Sequence, residues 1–470
     1  MSFWESENLR LVMGGTWMAL PAGQRITGLS TDSRALTPGQ MFLAIKGDSH
    51  DGHRHVAEVA GRAPLAVIDD TAALPVPLPQ GLGILKVSST RRALLRLAAA
   101  YRRTLEGTRV IAVAGSNGKT TTVRLIESVL RQAASGTASL KSFNNDIGVP
   151  LTILGAKPGD GYLICEVGTN SPGEVARLAQ VVEPDIAVIT SIGREHLEKL
   201  GSLQGVAREE ASVMEHVRRG GAGVFNADSP HLPEAIAALA VKPATRIGFG
   251  FGPGADVRVV EVAQDARGLA FKLNDGSTFR LGLLGKHNAG NAAAAVVVGR
   301  RMGLSDVKIA AGLLAARGPE MRLERSEIGG VCVLNDAYNA NPDSMRAGLE
   351  ALREVGVGAG RRVAILGDML ELGDHTRAEH RDIGRLLSER TDLDVIVLVG
   401  PSMKAAAEVL GARAAWVPDM DERHAPEVAG DLRAGDVVLL KGSRRMRLER
   451  LVVALKAHVE AGPRPQATCA

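Results

Sequence analysis

The sequence predicts an α/β protein of three domains: a small mixed α/β domain, a central parallel-sheet domain of the phosphate-loop ATPase type, and a C-terminal Rossmann-like domain. Three observations predict it. A chain of 470 residues has room for about three domains of ordinary size. From residue 108 onward, short aliphatic runs alternate with amphipathic helical stretches, and the alternation resumes after a break at 315–322. These runs are apolar throughout, as strands buried on both faces of a parallel sheet are.

The first domain is expected over 1–107. Its strands are "QMFLAI" (40–45) and "LAVID" (65–69), followed by a Pro-rich loop at 73–81. A helix over 90–105 leads into the second domain, expected over 108–316. There the strands are 109–115, 162–167, 185–190 and 222–228. The chain then turns more polar and β-like after about residue 250, and a helix runs near 288–302. The third domain, expected over 317–470, has strands at 331–336, 362–368, 394–400 and 436–442, with a helix at 344–355. The tail from 461 reads as loose. No short internal repeat is visible.

Composition narrows the function. Apolar residues make up 45% of the chain, as in a globular protein, but Phe, Trp and Tyr only 3%. So few aromatics argue against a base-stacking platform for nucleic acid. A net charge of +4 over this length calls for neither a nucleic-acid nor a membrane partner. The basic cluster at 444–447 is either solvated surface or an anion contact. Three cysteines without a CxxC pair fit a reducing compartment, with Cys165 and Cys332 expected in the core. The N-terminus shows no secretory pattern and no run has membrane-spanning length, so a cytoplasmic protein is expected.

The chemistry centres on "GSNGKT" (115–120), a shortened phosphate-loop spacing between a β-branched strand and a helix. Gly115, Ser116, Asn117 and Gly118 would bring backbone N–H groups to phosphate oxygens at a helix N-terminus. Lys119 would reach the terminal phosphates, and the Thr120 hydroxyl, beside Thr121, would hold Mg²⁺. The ligand read from the loop is a nucleoside triphosphate, ATP, with kinase, ATPase, GTPase and ligase all open. Glu166 and His196 follow other strands of the same domain and are candidate metal ligands. Asn288 and Asn291 share one face of a helix start and serve either as adenine readers or as caps. Asn145, in "NNDIGVP", lies near the same crevice. Asp336 and Lys441 end strands of the last domain, so one crevice between two α/β domains would collect these groups.

The ordered set "AGSNGKTTT", "NNDIGVP", "EVGTN", "EHLEKLGS", "GKHNAGNAAAA" and "NDAYNANPDSM" resembles the Mur ligases over nearly the whole chain. "GDMLELG" (367–373) and "KGSRRMRLE" (441–449) are similar to the branch of that family that adds D-alanyl-D-alanine to the UDP-muramoyl tripeptide. "TDSRALTPGQMFLAIKGDSHDGH" (31–53) is similar to the family's UDP-sugar site. The resemblance implies an ATP-dependent amide ligase in which the tripeptide carboxylate becomes an acyl phosphate that the dipeptide amine attacks. Its implied partners are UDP-N-acetylmuramoyl-tripeptide and D-alanyl-D-alanine, with Mg²⁺ beside ATP and a monomeric enzyme that closes on its ligands.

Carried residue by residue, the resemblance gives Lys119 and Thr120 to nucleotide and Mg²⁺, and Glu166 and His196 to metal. It places Asn288, Asn291, Arg322 and Asp336 on the adenosine side, and Ser33, Arg34, Lys46 and Gly47 at the UDP moiety. Asn339, Asn341, Lys441, Ser443 and Arg444 would position the acceptor or the reacting phosphate. One departure stands out. Where many members carry a lysine modified to a metal-binding carbamate, this chain has Glu210, in "GSLQGVAREEASVM" (201–214). Glu210 is expected to supply a permanent carboxylate to the second Mg²⁺, the alternative being a plain surface glutamate. The rival readings are another Mur-type amino-acid ligase, a folylpolyglutamate synthase-like ligase, or a nucleotide-gated regulatory protein without ligase chemistry.

Overall fold

The computed structural model describes residues 3–23, 25–47, 50–265, 268–356 and 360–460. The 461–470 tail, with Cys469, lies outside them. Three sheets succeed one another along the chain.

The first has five strands in the order Thr16–Ala19, Gly83–Lys86, Leu65–Ile68, Gln40–Leu43, Gly28–Ser30. Only its Thr16–Ala19 edge pairs antiparallel. Gln40–Leu43 and Leu65–Ile68 match the expected strands. The other three are too short, three or four residues each, to show a period in sequence.

The central sheet has nine strands. Arg109–Ala114 lies between Ile186–Ile189 and Tyr162–Glu166, all parallel. Beyond Ile186–Ile189 follow Ala222–Asn226 and Thr245–Gly250, then Val257–Asp265, Gly268–Leu273 and Thr278–Leu281 as an antiparallel edge. That edge is the polar β-like stretch seen in the sequence. Tyr162–Glu166 and Ile186–Ile189 are buried from end to end, and Arg109–Ala114 in all but its first residue, because helices cover both faces, and each face has its own apolar cluster. Helix Lys119–Leu130 packs on the alanine-rich helix His287–Arg301. Cys165 is in this core, where burial pushes its thiol up to about 12.

The C-terminal sheet runs Glu324–Ile328, Val331–Asp336, Val437–Lys441, Arg362–Gly367, Val395–Val399, Ala415–Val417, antiparallel only at its first pair. Cys332 is half-buried against its core rather than sealed in it. The helix expected at 344–355 spans Pro342–Glu354. It starts earlier because Asn341 caps it in a reciprocal box with Ser344 and Pro342 occupies the first turn. Trp4 packs where the first and central domains meet, Trp17 lies in an edge strand of the first sheet, and Trp416 in an edge strand of the last.

Candidate active site

In the central sheet Arg109–Ala114 is flanked by parallel strands on both sides, and the phosphate loop leaves its carboxyl end. A cavity of about 620 Å³ lies there, lined from the central and C-terminal domains together. Ser116, Asn117, Gly118, Lys119 and Thr121 line it from the phosphate loop, and Glu166, Glu195 and His196 from neighbouring strand ends. Arg322, Asp336, Asn339, Lys441 and Arg444 line it from the last domain.

The loop geometry explains its glycines. Gly118 has φ +88, and a Cβ there would stand 2.6 Å from Asn291 Oδ1. Asn291 donates to Asn288 Oδ1 at 2.9 Å, and Asn288 donates to the Leu284 carbonyl at 2.7 Å. Neither asparagine is the N-cap of its helix; both face the loop and line the cavity. Phe249, Phe251 and Asn226 line the same region.

Lys119 Nζ donates to the Gly115 and Ser116 carbonyls and stands 3.8 Å from Glu195 Oε1. Burial disfavours its ammonium, but Glu195, Glu210 and Glu166 outweigh that and raise its pKa. Glu166 is oriented by Asn144, whose Nδ2 donates to Oε1 at 2.9 Å. Glu210 is fully buried, which removes the plain-surface alternative. Its Oε2 accepts from the Gly115 N–H at 2.7 Å, and burial, with Lys119 opposing and Glu195 adding, pushes it up to about 7. Burial also raises Glu195, against the pull of Lys119. The preceding Glu209 accepts from the Gly173 and Val175 N–H groups, so one helix turn ties down two loops.

Glu166 Oε2, Glu195 Oε1 and Glu210 Oε1 are buried and have no hydrogen-bond partner among the described residues. One ammonium cannot balance three buried carboxyl groups, which accords with the raised pKa of Glu195 and Glu210. Hard oxygen donors of this kind, with the buried Thr120 hydroxyl 3.4 Å from Ser142 Oγ, suit Mg²⁺ by chemistry, although no three of Glu166, Glu195, His196 and Glu210 bring their ligand atoms within 4.8 Å of one another.

From the last domain, Arg322 lies over the Tyr338 ring and points Nη2 at Ser142 Oγ, 3.5 Å away. That puts its guanidinium near Thr120 at the phosphate end of the cavity. Lys441 is buried, and its Nζ meets Asp336 Oδ2 at 2.6 Å and the Asn339 carbonyl at 3.2 Å. Asn341 donates to Asn117 Oδ1 at 2.9 Å. Ser443 accepts from the Leu370 N–H and does not line the cavity; Arg444 does, while pairing with Glu449. His196 Nδ1 lies 2.7 Å from Glu371, which reaches it from a left-handed backbone at φ +64. Burial works against the imidazolium, but Glu371 and Glu195 prevail and its pKa is raised.

The first-domain candidates stand apart from this cavity. Ser33, Arg34, Lys46 and Gly47 follow the carboxyl ends of adjacent parallel strands. Arg34 pairs with Asp32, and Arg91 links the Lys46 carbonyl to Asp146 of the central domain, next to Asn145. Asn145 itself accepts from the Ile147 and Gly148 N–H groups. The two amides of "NNDIGVP", Asn144 and Asn145, both line the cavity as that motif suggested, whereas sequence reasoning missed Arg194, Glu195, Glu371 and Phe251. Of these, Glu195 had a signal, its position directly before His196.

Fold and site together define an ATP-dependent ligase class, and the chain belongs to the Mur ligase family. It matches the "Mur ligase family, catalytic domain" at 25–102, the "Mur ligase middle domain" at 113–299 and the "Mur ligase, glutamate ligase domain" at 321–444. Within the family it is 35% identical over 435 residues to the UDP-N-acetylmuramoyl-tripeptide–D-alanyl-D-alanine ligase of Bacillus subtilis (strain 168), covering 91% of this chain and 92% of that one. A crystal structure of MurF from Acinetobacter baumannii superposes with a TM-score of 0.86 at 31% identity, covering 97% and 99% of the two chains. The Thermotoga maritima MurF in complex with ADP gives 0.80 at 26%, covering 94% and 99%.

Proposed function

We propose that this chain joins D-alanyl-D-alanine to UDP-N-acetylmuramoyl-tripeptide at the expense of ATP, in the making of a peptidoglycan precursor. The observation that carries the reading is one cavity in which the phosphate loop and orphaned carboxylates of the central domain face Arg322, Lys441 and Arg444 of the last. Relatives of that activity match the chain over nearly its full length. Domain limits near 107 and 316, a monomeric state, a cytoplasmic location and independence from nucleic acid belong to the same reading. Among the described residues no helix is long and apolar enough to cross a membrane.

The chemistry follows from the charges. A terminal carboxylate oxygen of the tripeptide attacks the γ-phosphorus, the bond to the β-bridging oxygen breaks, and ADP leaves. The dipeptide amine, having lost a proton, then attacks the acyl carbon and inorganic phosphate departs. Lys119 and Arg322 offset the charge on the moving phosphoryl group. The loop N–H groups and the helix end behind them hold the phosphates in line. Thr120, Glu166, His196, Glu195 and Glu210 would hold Mg²⁺, which supplies further neutralisation of phosphate charge. Asn288, Asn291 and Phe251 take the adenosine. Ser33, Arg34, Lys46 and Gly47 take the uridine diphosphate, and Asn339 and Arg444 the acceptor.

The test is ADP release from the purified chain with ATP, dipeptide, and tripeptides ending in lysine or in diaminopimelate. Release that requires both the UDP-tripeptide and D-alanyl-D-alanine is expected. Equal release with L-glutamate and a folate in their place would favour the folylpolyglutamate synthase-like alternative and overturn the reading.

A further inference from the structure

Between the strand Ile186–Ile189 and His196, the chain passes through Gly193 and Arg194 at the seam of the two large domains. Gly193 lies against both. A Cβ there would lie 2.9 Å from Asn117 Nδ2 of the phosphate loop and 3.0 Å from Asp343 Oδ2 of the C-terminal domain. Arg194 then holds Asp343 twice, with its main-chain N–H on Oδ2 at 2.8 Å and its Nη2 on Oδ1 at 2.9 Å. Its Nη1 reaches Glu379 Oε1 at 3.4 Å, so one guanidinium bridges carboxylates on two successive helices. Two residues before Asp343, Asn341 is bonded to Asn117.

The helix Pro342–Glu354 thus touches the phosphate loop and the segment bearing Glu195 and His196 at once. Its first turn carries Asp343, and its capping residue is Asn341. A fork-shaped cation shared by two carboxylates fixes distance and angle together, which a single ammonium cannot do.

We propose that Arg194 and Asp343 are positioning residues for amide formation. They lock the C-terminal domain against the phosphate loop, so that groups from both domains face one acyl phosphate. The inference rests on the ligase reading above. It goes beyond that reading by assigning domain registration to a pair of which Asp343 lines the cavity and Arg194 stands behind it.

The pair makes distinct demands on variants. Asp343→Ala removes both bonds, whereas Arg194→Ala leaves the main-chain bond in place, so the Asp343 variant suffers more. Beyond the shared Asp343 contact the double variant loses only the 3.4 Å bond to Glu379, so its loss should be close to that of Asp343→Ala alone and well short of the product of the two single losses. Arg194→Lys keeps one charge and should recover part of the loss.

The experiment is steady-state kinetics on the full chain for wild type, Arg194→Ala, Arg194→Lys, Asp343→Ala, Asp343→Asn and the double variant, with melting curves for each. We expect kcat to fall about 10- to 100-fold while KM for ATP stays within about twofold, since small misplacement costs that much in rate. Multiplicative losses in the double variant, a rise in KM for ATP at unchanged kcat, or losses that track melting temperature instead of the variant order would overturn the proposal. A wild type that forms no amide would instead overturn the ligase reading itself.

Discussion

The Gly115 N–H donates to Glu210 Oε2 across 2.7 Å, so a fully buried carboxylate holds the phosphate loop from behind. The same residue is pushed up to about 7, chiefly by burial. Structural anchor and misplaced acid are therefore one group.

That sets a pH signature on stability. The folded chain keeps a proton on Glu210 that the unfolded chain releases near its ordinary value of 4.5. Stability is highest below that value, falls as pH rises toward about 7, and levels off above it. The loss over the whole range is on the order of 3 kcal/mol. Glu210→Gln keeps an acceptor for Gly115 and cannot ionise. Melting curves with chelator and without nucleotide should show wild type losing a few degrees against this variant between about pH 5 and pH 7.5. Parallel curves would refute the assignment.

In the proposed reading Glu210 serves the second Mg²⁺ as a carboxylate once the ion draws off its proton, so no bound carbon dioxide is needed there. Ligase activity in carbon dioxide-depleted buffer should equal that in air. A strong loss, reversed by bicarbonate, would show that Glu210 does not fill this role.

Lys441 and Asp336 are joined at 2.6 Å with Lys441 buried. Lys441→Met leaves the half-buried Asp336 carboxylate without its cation and should cost about 2 kcal/mol in denaturant unfolding. Adding Asp336→Asn should return part of it. A single variant within about 0.5 kcal/mol of wild type would mean the pair is solvated.

His53 is enclosed in the first domain, with Nδ1 2.7 Å from Asp51 and Nε2 2.9 Å from Asp69. Asp51 bridges to Lys46, and Asp69 accepts from the Thr90 N–H at the helix that presents Arg91. His53→Ala should loosen the Lys46–Gly47 turn and raise KM for the UDP-tripeptide about tenfold, with KM for ATP unchanged. Equal changes in both constants would place its effect elsewhere.

Much of this was legible in sequence because it is local. The phosphate loop is written in consecutive residues, and Glu166 stands at the end of a strand whose burial shows in its letters. Buried parallel strands announce themselves by uninterrupted apolar runs. What stayed hidden depends on partners far along the chain. Asn341 reads as a substrate contact beside Asn339, yet the fold bonds it to Asn117. Ser443 sits in a basic cluster suited to anions but serves the Leu370 N–H. Glu371 meets His196 only because its backbone turns left-handed, which no propensity assigns to glutamate. Arg194 could not be told from any surface arginine before Asp343 and Glu379 were placed around it.

The three tryptophans sit at Trp4, Trp17 and Trp416, all outside the central nucleotide-binding sheet. Tryptophan emission, excited apart from Tyr338 of the cavity, therefore has no reporter inside the nucleotide cradle and senses the outer parts of the chain. A change in emission on adding ATP would report movement of a lobe, which gives this chain a label-free optical gauge of closure.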